Sequence, residues 1–493
     1  MNAIKNSFTL IVLAITALLQ FSCTYDKQEL IPESNFPSEV SAIITTKCAT
    51  AGCHNNISYQ NAGGLDFSSW ESMYAGGRSG SSVIPFSTDY SFLLYFVNSD
   101  TSLGPTLEPR MPIGAEALSS AEYQTLVNWI ANGGRNKSGE LRYPDGASRK
   151  KAYICMQGCD QVAVIDAESG NIMKYVSVGI SPENTEAPHM VRLSPDGRYW
   201  YVVFFNGKII QKFRTEDDTP VGTVNIGTGD WNTIIITPDG KKGFVSATLL
   251  QKTTVIDLEN MVVETSIFPE FPHGGFITPD GNYLYLTSQL GNFVNKVDIS
   301  NVFYNYDPVI LQPGESKTTA SRYDAHEMIL SPDGQKYFVS CQASNEVRIF
   351  RTANDSLLGI IPVGHRPQEF SISSTRPYLF ISCTDDPSGT NRKGNVYVIN
   401  YQTNSLITSV YTGYQPHGIA VNDDKDIVYV AHLNSDSNGP TPHHSTGCGG
   451  RNGYMTAINM SNLSLYRKTQ PDGSSFVYRN ELLTFPYFVE YKK

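Results

Sequence analysis

A four-residue pattern recurs in this chain and limits what it can fold into. It reads Ser194-Pro195-Asp196-Gly197, Thr237-Pro238-Asp239-Gly240, Thr278-Pro279-Asp280-Gly281 and Ser331-Pro332-Asp333-Gly334. Each copy follows a short apolar run, such as Val191-Arg192-Leu193 or Ile234-Ile235-Ile236, and precedes another, such as Tyr201-Val202-Val203 or Tyr285-Leu286-Thr287. Strand, Asp-Gly turn, strand is a hairpin signal. A third strand follows, as in Thr254-Val255-Ile256-Asp257, and a fourth often ends in glycine, as in Ile360-Ile361-Pro362-Val363-Gly364. Two degenerate copies, around 373–378 and 422–427, lack the turn. Four antiparallel strands repeated every 40 to 60 residues or so describe a β-propeller.

Second strands near residues 153, 201, 244, 285, 338, 380 and 429 make seven blades. The first copy, from Ala152, lacks an innermost strand, and an aromatic strand at 485–491 is left over. Placing that last strand in the first blade closes the ring and removes the free edges. The pattern over 152–493 resembles the seven-bladed YVTN-type propellers. That resemblance implies the architecture and says almost nothing about activity.

One column of the repeat carries chemistry. Twelve residues before each second-strand core stand His189, Asn232, His273, His326, Gln368 and His417. This register places the column at the start of the innermost strand, beside the central channel. Histidine is the commonest metal ligand, so His189, His273, His326 and His417 form a candidate axial site for a second metal in the propeller channel. The competing reading is a duplicated turn residue whose imidazole bonds to backbone.

A second motif lies upstream. Cys48-Ala49-Thr50-Ala51-Gly52-Cys53-His54 places a histidine directly after the second of two cysteines, the order that attaches c-type haem. The gap is four residues where two is usual. A short helix is expected over 38–47, with Ser38 as N-cap and Val40, Ile43 and Ile44 on one face. Ser119-Ser120-Ala121-Glu122 forms a capping box that opens a helix through Trp129 and Ile130, stopped at Gly133-Gly134. Between them stands Met111-Pro112. The set resembles the monohaem c-type cytochrome domain with His/Met ligation, over residues 34–136. The resemblance implies one covalent haem c on Cys48 and Cys53, with His54 proximal and Met111 distal to the iron. Met73 is the rival distal ligand, and a Cys48–Cys53 disulfide is the alternative to haem.

Residues 1–23 read as a lipoprotein signal peptide. Lys5 supplies the positive end, and an apolar run of about a dozen residues ends at Ser22-Cys23. Cys23 is the candidate lipidation site. Residues 24–33 are a polar tether and 137–151 a linker. Export permits disulfides, and Cys155 and Cys159 are spaced to bridge a hairpin. The net charge of −10, from 37 basic and 47 acidic side chains, argues against nucleic acid.

The fold expected is therefore multidomain: a small all-α cytochrome c domain, then an all-β seven-bladed β-propeller. The expected function is an exported, membrane-anchored c-type cytochrome that carries electrons to or from a redox partner protein. Its expected place is the periplasmic side of the membrane or the cell surface, with the outer membrane favoured. The alternatives are a redox enzyme acting at the axial histidines and a surface binding protein. His443, His444 and Cys448 lie in a Gly- and Ser-rich insertion read as a surface loop.

Overall fold

The structure, a computed structural model, describes residues 34–385, 392–442, 448–470 and 473–492. The signal peptide, Cys23, the tether, His443 and His444 lie outside them. Residues 35–493 form one compact unit.

Among the described residues the main sheets are seven blades. Six are continuous along the chain. In the first, Lys151–Met156 pairs on one side with Gln161–Asp166 and on the other with the C-terminal strand Pro486–Tyr491. The leftover strand thus closes the ring, as the missing innermost strand requires.

The repeated turns explain themselves chemically. Ser194 Oγ donates to Asp196 Oδ1 (2.6 Å) and accepts from Tyr199 N (3.0 Å), while Asp196 Oδ1 accepts from Arg198 N. Thr237, Thr278 and Ser331 repeat these bonds. Gly197, Gly240, Gly281 and Gly334 take φ between 68° and 74°, where a Cβ is costly. The degenerate turn at Ser373 has no aspartate of its own. Asp423, from the seventh blade, accepts from Ser373 Oγ, Ser374 N and Thr375 Oγ1 instead. The turn lacks the aspartate, and the neighbouring blade supplies the carboxylate.

Blades 1 and 2 are joined by a buried ion pair. Lys151 Nζ lies 2.8 Å from Asp218 Oδ2, with the two side chains 0% and 1% exposed. Asp218 also accepts from Tyr153 Oη (3.0 Å) and Trp200 Nε1 (3.2 Å).

The expected all-α domain is corrected. Residues 34–150 hold short helices, Ser38–Ile43, Trp70–Ala75 and Phe92–Val97, each of six residues, and one longer helix, Ser120–Ala131. The remainder is loop and single turns. Gly63-Gly64 and Gly76-Gly77 interrupt it early, and Pro105, Pro109 and Pro112 prevent helix later. Nor does the segment have a core to itself. Phe36, Trp70, Leu126 and Tyr143 belong to one apolar cluster with Tyr153, Val162 and Trp200 of the blades. Polar ties reinforce this: Asn171 Nδ2 donates to the Tyr74 carbonyl (2.8 Å), and Lys468 Nζ to that of Ala75 (2.6 Å).

Details of the two helix ends differ from expectation in one case. Ser119 and Glu122 form the capping box. The first helix begins after Pro37, not Ser38, and passes at Ile44–Cys48 into a wider π-type turn. Cys159 pairs with Cys448, 289 positions away, rather than with Cys155, which keeps a buried free thiol like Cys341 and Cys383. Among the described residues no helix is long and apolar enough to cross a membrane.

Candidate functional site

Cys48 closes the π-type turn and is buried. The chain then folds back tightly: Cys53 N donates to the Thr50 carbonyl and His54 N to that of Cys48. Both thiols are free, in a chain whose Cys159 and Cys448 are bridged. Burial pushes the Cys48 thiol up to about 12, so it stays protonated at neutral pH.

His54 Nδ1 lies 3.1 Å from the Leu65 carbonyl, and its ring stacks on Phe67 at 4.8 Å. A carbonyl only accepts, so Nδ1 carries the proton and Nε2 keeps its lone pair. That is the tautomer an axial ligand needs, with the carbonyl orienting the ring. Burial lowers the His54 pKa, which favours the same neutral form. Met111 is half-buried and packs against the cluster that holds Cys48, and its N–H donates to the Phe96 carbonyl. Met73 is 1% exposed, on the helix Trp70–Ala75.

The propeller axis brings the histidine column together. His189, His273, His326 and His417 sit near the starts of the innermost strands Pro188–Leu193, Pro272–Ile277, Ala325–Leu330 and Pro416–Asn422. All four are buried, as are Asn232 and Gln368 of the same column. Ring centroids stand 6.5 Å apart for His189 and His273, 4.2 Å for His273 and His326, and 6.4 Å for His326 and His417. The channel at this level is narrow enough for imidazoles of non-adjacent blades to meet. Burial keeps them neutral: it lowers His273 to about 4 and His417 to about 3, and His189 and His326 well below the usual value.

Three members of the site lie outside the column as counted from the sequence. Tyr487, on the closing strand, packs in tilted contact between His189 (4.4 Å) and His417 (3.8 Å) and is the seventh position of the ring. Phe485-Pro486-Tyr487 repeats the proline that precedes His189, His273, Gln368 and His417, a signal that could have found it. The residue two before the column takes positive φ at Ala187, Phe271, Asp324, Arg366, Gln415 and Phe485. Six blades thus share one backbone kink that sends the next side chains to the axis. Glu327 and Glu369 each follow a column residue by one, and both are buried. Burial raises both carboxyls, and their mutual repulsion raises Glu369 further.

Glu369 Oε1 stands 3.9 Å from His326 Nε2. His326, Glu369 and His417 each offer a ligand atom within 4.8 Å of the others. Both glutamates also line a channel cavity of about 430 Å³, with Arg192, Phe276, Phe370 and Phe488. Gly274 makes room for this arrangement: a Cβ there would stand 2.7 Å from Glu327 Cα. Gly274→Ala should destabilise the protein by roughly 1–3 kcal/mol, the usual cost of overpacking. Urea unfolding checks this, and an unchanged midpoint would mean that the strand shifts freely.

Fold and ring together define a seven-bladed β-propeller with a polar, histidine-lined axis. No family model matches the chain. The periplasmic gluconolactonase of Pseudomonas aeruginosa is similar over 70% of this chain and 99% of its own, at 15% identity and a TM-score of 0.52. A protein of unknown function from Desulfotomaculum acetoxidans is similar over 69% of this chain and 98% of its own, at 13% identity and a TM-score of 0.51. Likeness at this identity shows the propeller fold alone.

Proposed function

We propose that this chain is an exported c-type haem protein that carries single electrons, held at the membrane by lipid on Cys23. Cys48 and Cys53 would hold one covalent haem, His54 and Met111 its iron, and the propeller would dock a redox partner protein. The observation that carries this reading is the imidazole of His54, directly after Cys53, whose Nδ1 donates to the Leu65 carbonyl, which puts the lone pair of the neutral ring on Nε2. A haem with both axial positions filled supplies one-electron storage, not oxygen activation. The two unbridged thiols support covalent attachment over the disulfide alternative. The reading needs no independent all-α domain, only this loop and the core beneath it. The lactonase activity named for the Pseudomonas propeller has no part in it.

Met111→Leu tests the sixth ligand. The oxidised protein should lose the weak absorption band near the red end that a thioether–iron bond produces. Its reduction potential should fall, because the soft sulfur favours ferrous iron. A spectrum and potential identical to wild type would move the distal role to Met73 or another group.

A second reading has its own support, the cluster of His326, Glu369 and His417. In it the protein is a redox enzyme that reacts at the axis, with the haem as its wire. Electron transfer to a partner protein separates the readings. Transfer that Glu369→Gln leaves unchanged favours the carrier, and redox turnover of a small molecule that Glu369→Gln abolishes favours the enzyme. A chain matured with the haem-attachment machinery that carries no covalent haem leaves a surface binding protein.

A further inference from the structure

We propose that the propeller axis binds one divalent first-row transition ion of the zinc or ferrous class, held by His326, His417 and Glu369. Two imidazoles and one carboxylate make a borderline donor set that suits these ions and disfavours calcium or magnesium. The site stands apart from the haem reading and does not depend on it.

The argument rests on which atoms are already spoken for. His417 Nδ1 faces the Tyr487 carbonyl at 3.2 Å, so Nδ1 donates and Nε2 is the free ligand atom. His326 Nε2 is buried with no hydrogen-bond partner, and its Nδ1 faces the Gln289 side-chain amide at 3.5 Å. With that amide turned so that its oxygen accepts from Nδ1–H, Nε2 carries the lone pair, and a buried lone pair without a partner is unfavourable unless something takes it. Glu369 Oε1, at 3.9 Å, is too far to be that partner by hydrogen bonding and near enough to share a metal with it. His273 does not need to ligate. Its Nδ1 donates to the His326 carbonyl at 3.0 Å and braces the strand that carries the ligand, which makes it a positioning residue.

Geometry and access agree. Ligands about 2.0–2.2 Å from a tetrahedral ion stand roughly 3.3–3.6 Å from one another. The observed span of up to 4.8 Å closes to that by small side-chain rotations. Three protein ligands leave a coordination position open, as in catalytic rather than structural sites. Glu369 also lines the cavity of about 430 Å³, so the carboxylate joins the site to that space. Glu327 stands beside it, with Oε2 buried and unpartnered.

The test uses the full chain with its haem, stripped by a chelator, dialysed against zinc and analysed for zinc and iron together. Wild type should retain one zinc per chain. Glu369→Gln and His326→Gln should each weaken zinc binding at least tenfold, with the circular dichroism of the propeller unchanged. X-ray absorption at the zinc edge of the wild type, which depends on no variant, should show imidazole nitrogen and carboxylate oxygen without sulfur. No retained zinc, affinity untouched in both variants, or sulfur at the metal would overturn the proposal. The Cys48→Ala/Cys53→Ala chain should keep its zinc even when it carries no haem, so failure of either site is visible separately.

Discussion

Cys48→Ala combined with Cys53→Ala should yield a chain with no haem that survives denaturation, where the parent keeps all of it. The two thioethers are the covalent links that the proposed attachment provides. Each single variant should keep a reduced, more easily lost fraction on the remaining cysteine. The propeller should still fold, because its blades close through backbone pairing that involves neither residue. Haem-linked peroxidase staining after denaturing electrophoresis reads the result. Full staining in the double variant would place the attachment elsewhere.

Asp218→Ala should cost about 3–5 kcal/mol of unfolding free energy, the usual result of removing one partner of a buried pair. Lys151 Nζ would lose its counter-ion while 0% exposed. Tyr153 Oη and Trp200 Nε1 would lose their acceptor in the same step. Lys174 Nζ, 3.2 Å from the same carboxylate, would lose it too, but is partly exposed and can turn to water. Burial already lowers the Lys151 pKa, and without Asp218 the folded chain would hold a neutral amine or an unpaired charge. Lys151→Met added to Asp218→Ala should recover much of the loss, since an apolar replacement of both partners is often neutral. Asp218 sits at φ 62°, which asparagine tolerates. Asp218→Asn therefore isolates the charge from the backbone. Urea unfolding measures all three, and a loss under about 1 kcal/mol for Asp218→Ala would contradict the account.

The propeller was legible because its signal is local and repeated. A hydroxyl, a proline, an aspartate and a glycine in four positions write a turn that needs no distant partner, and four copies set the period. Ring closure was legible because one strand was missing and one was left over. The all-α domain was misread for the opposite reason. The helices near 38–47 and 119–131 are real, but the stretch between them is glycine- and proline-broken loop, and its apolar side chains find their core partly on the blades. Helix ends carry local signals, whereas the absence of helix between them does not.

The axial site was half legible. Counting back from the second strands found His189, His273, His326 and His417, because duplication preserves register. It passed over Tyr487, which holds the same place on a strand at the far end of the chain. It also passed over Glu369, which lies one residue off the column and reaches the axis only because the strand is kinked there. The Cys159–Cys448 bridge was hidden in the same way. It joins the first and seventh blades, neighbours only once the ring has closed.

The mass of the denatured, full-length protein, matured with the machinery that attaches haem to cysteine, tests the central claim most directly. The account predicts a polypeptide heavier by one haem, with Cys48 and Cys53 both consumed in the peptide map and the colour staying with the protein through acid-acetone extraction. A bare polypeptide mass, with both thiols free or joined to each other, would contradict it.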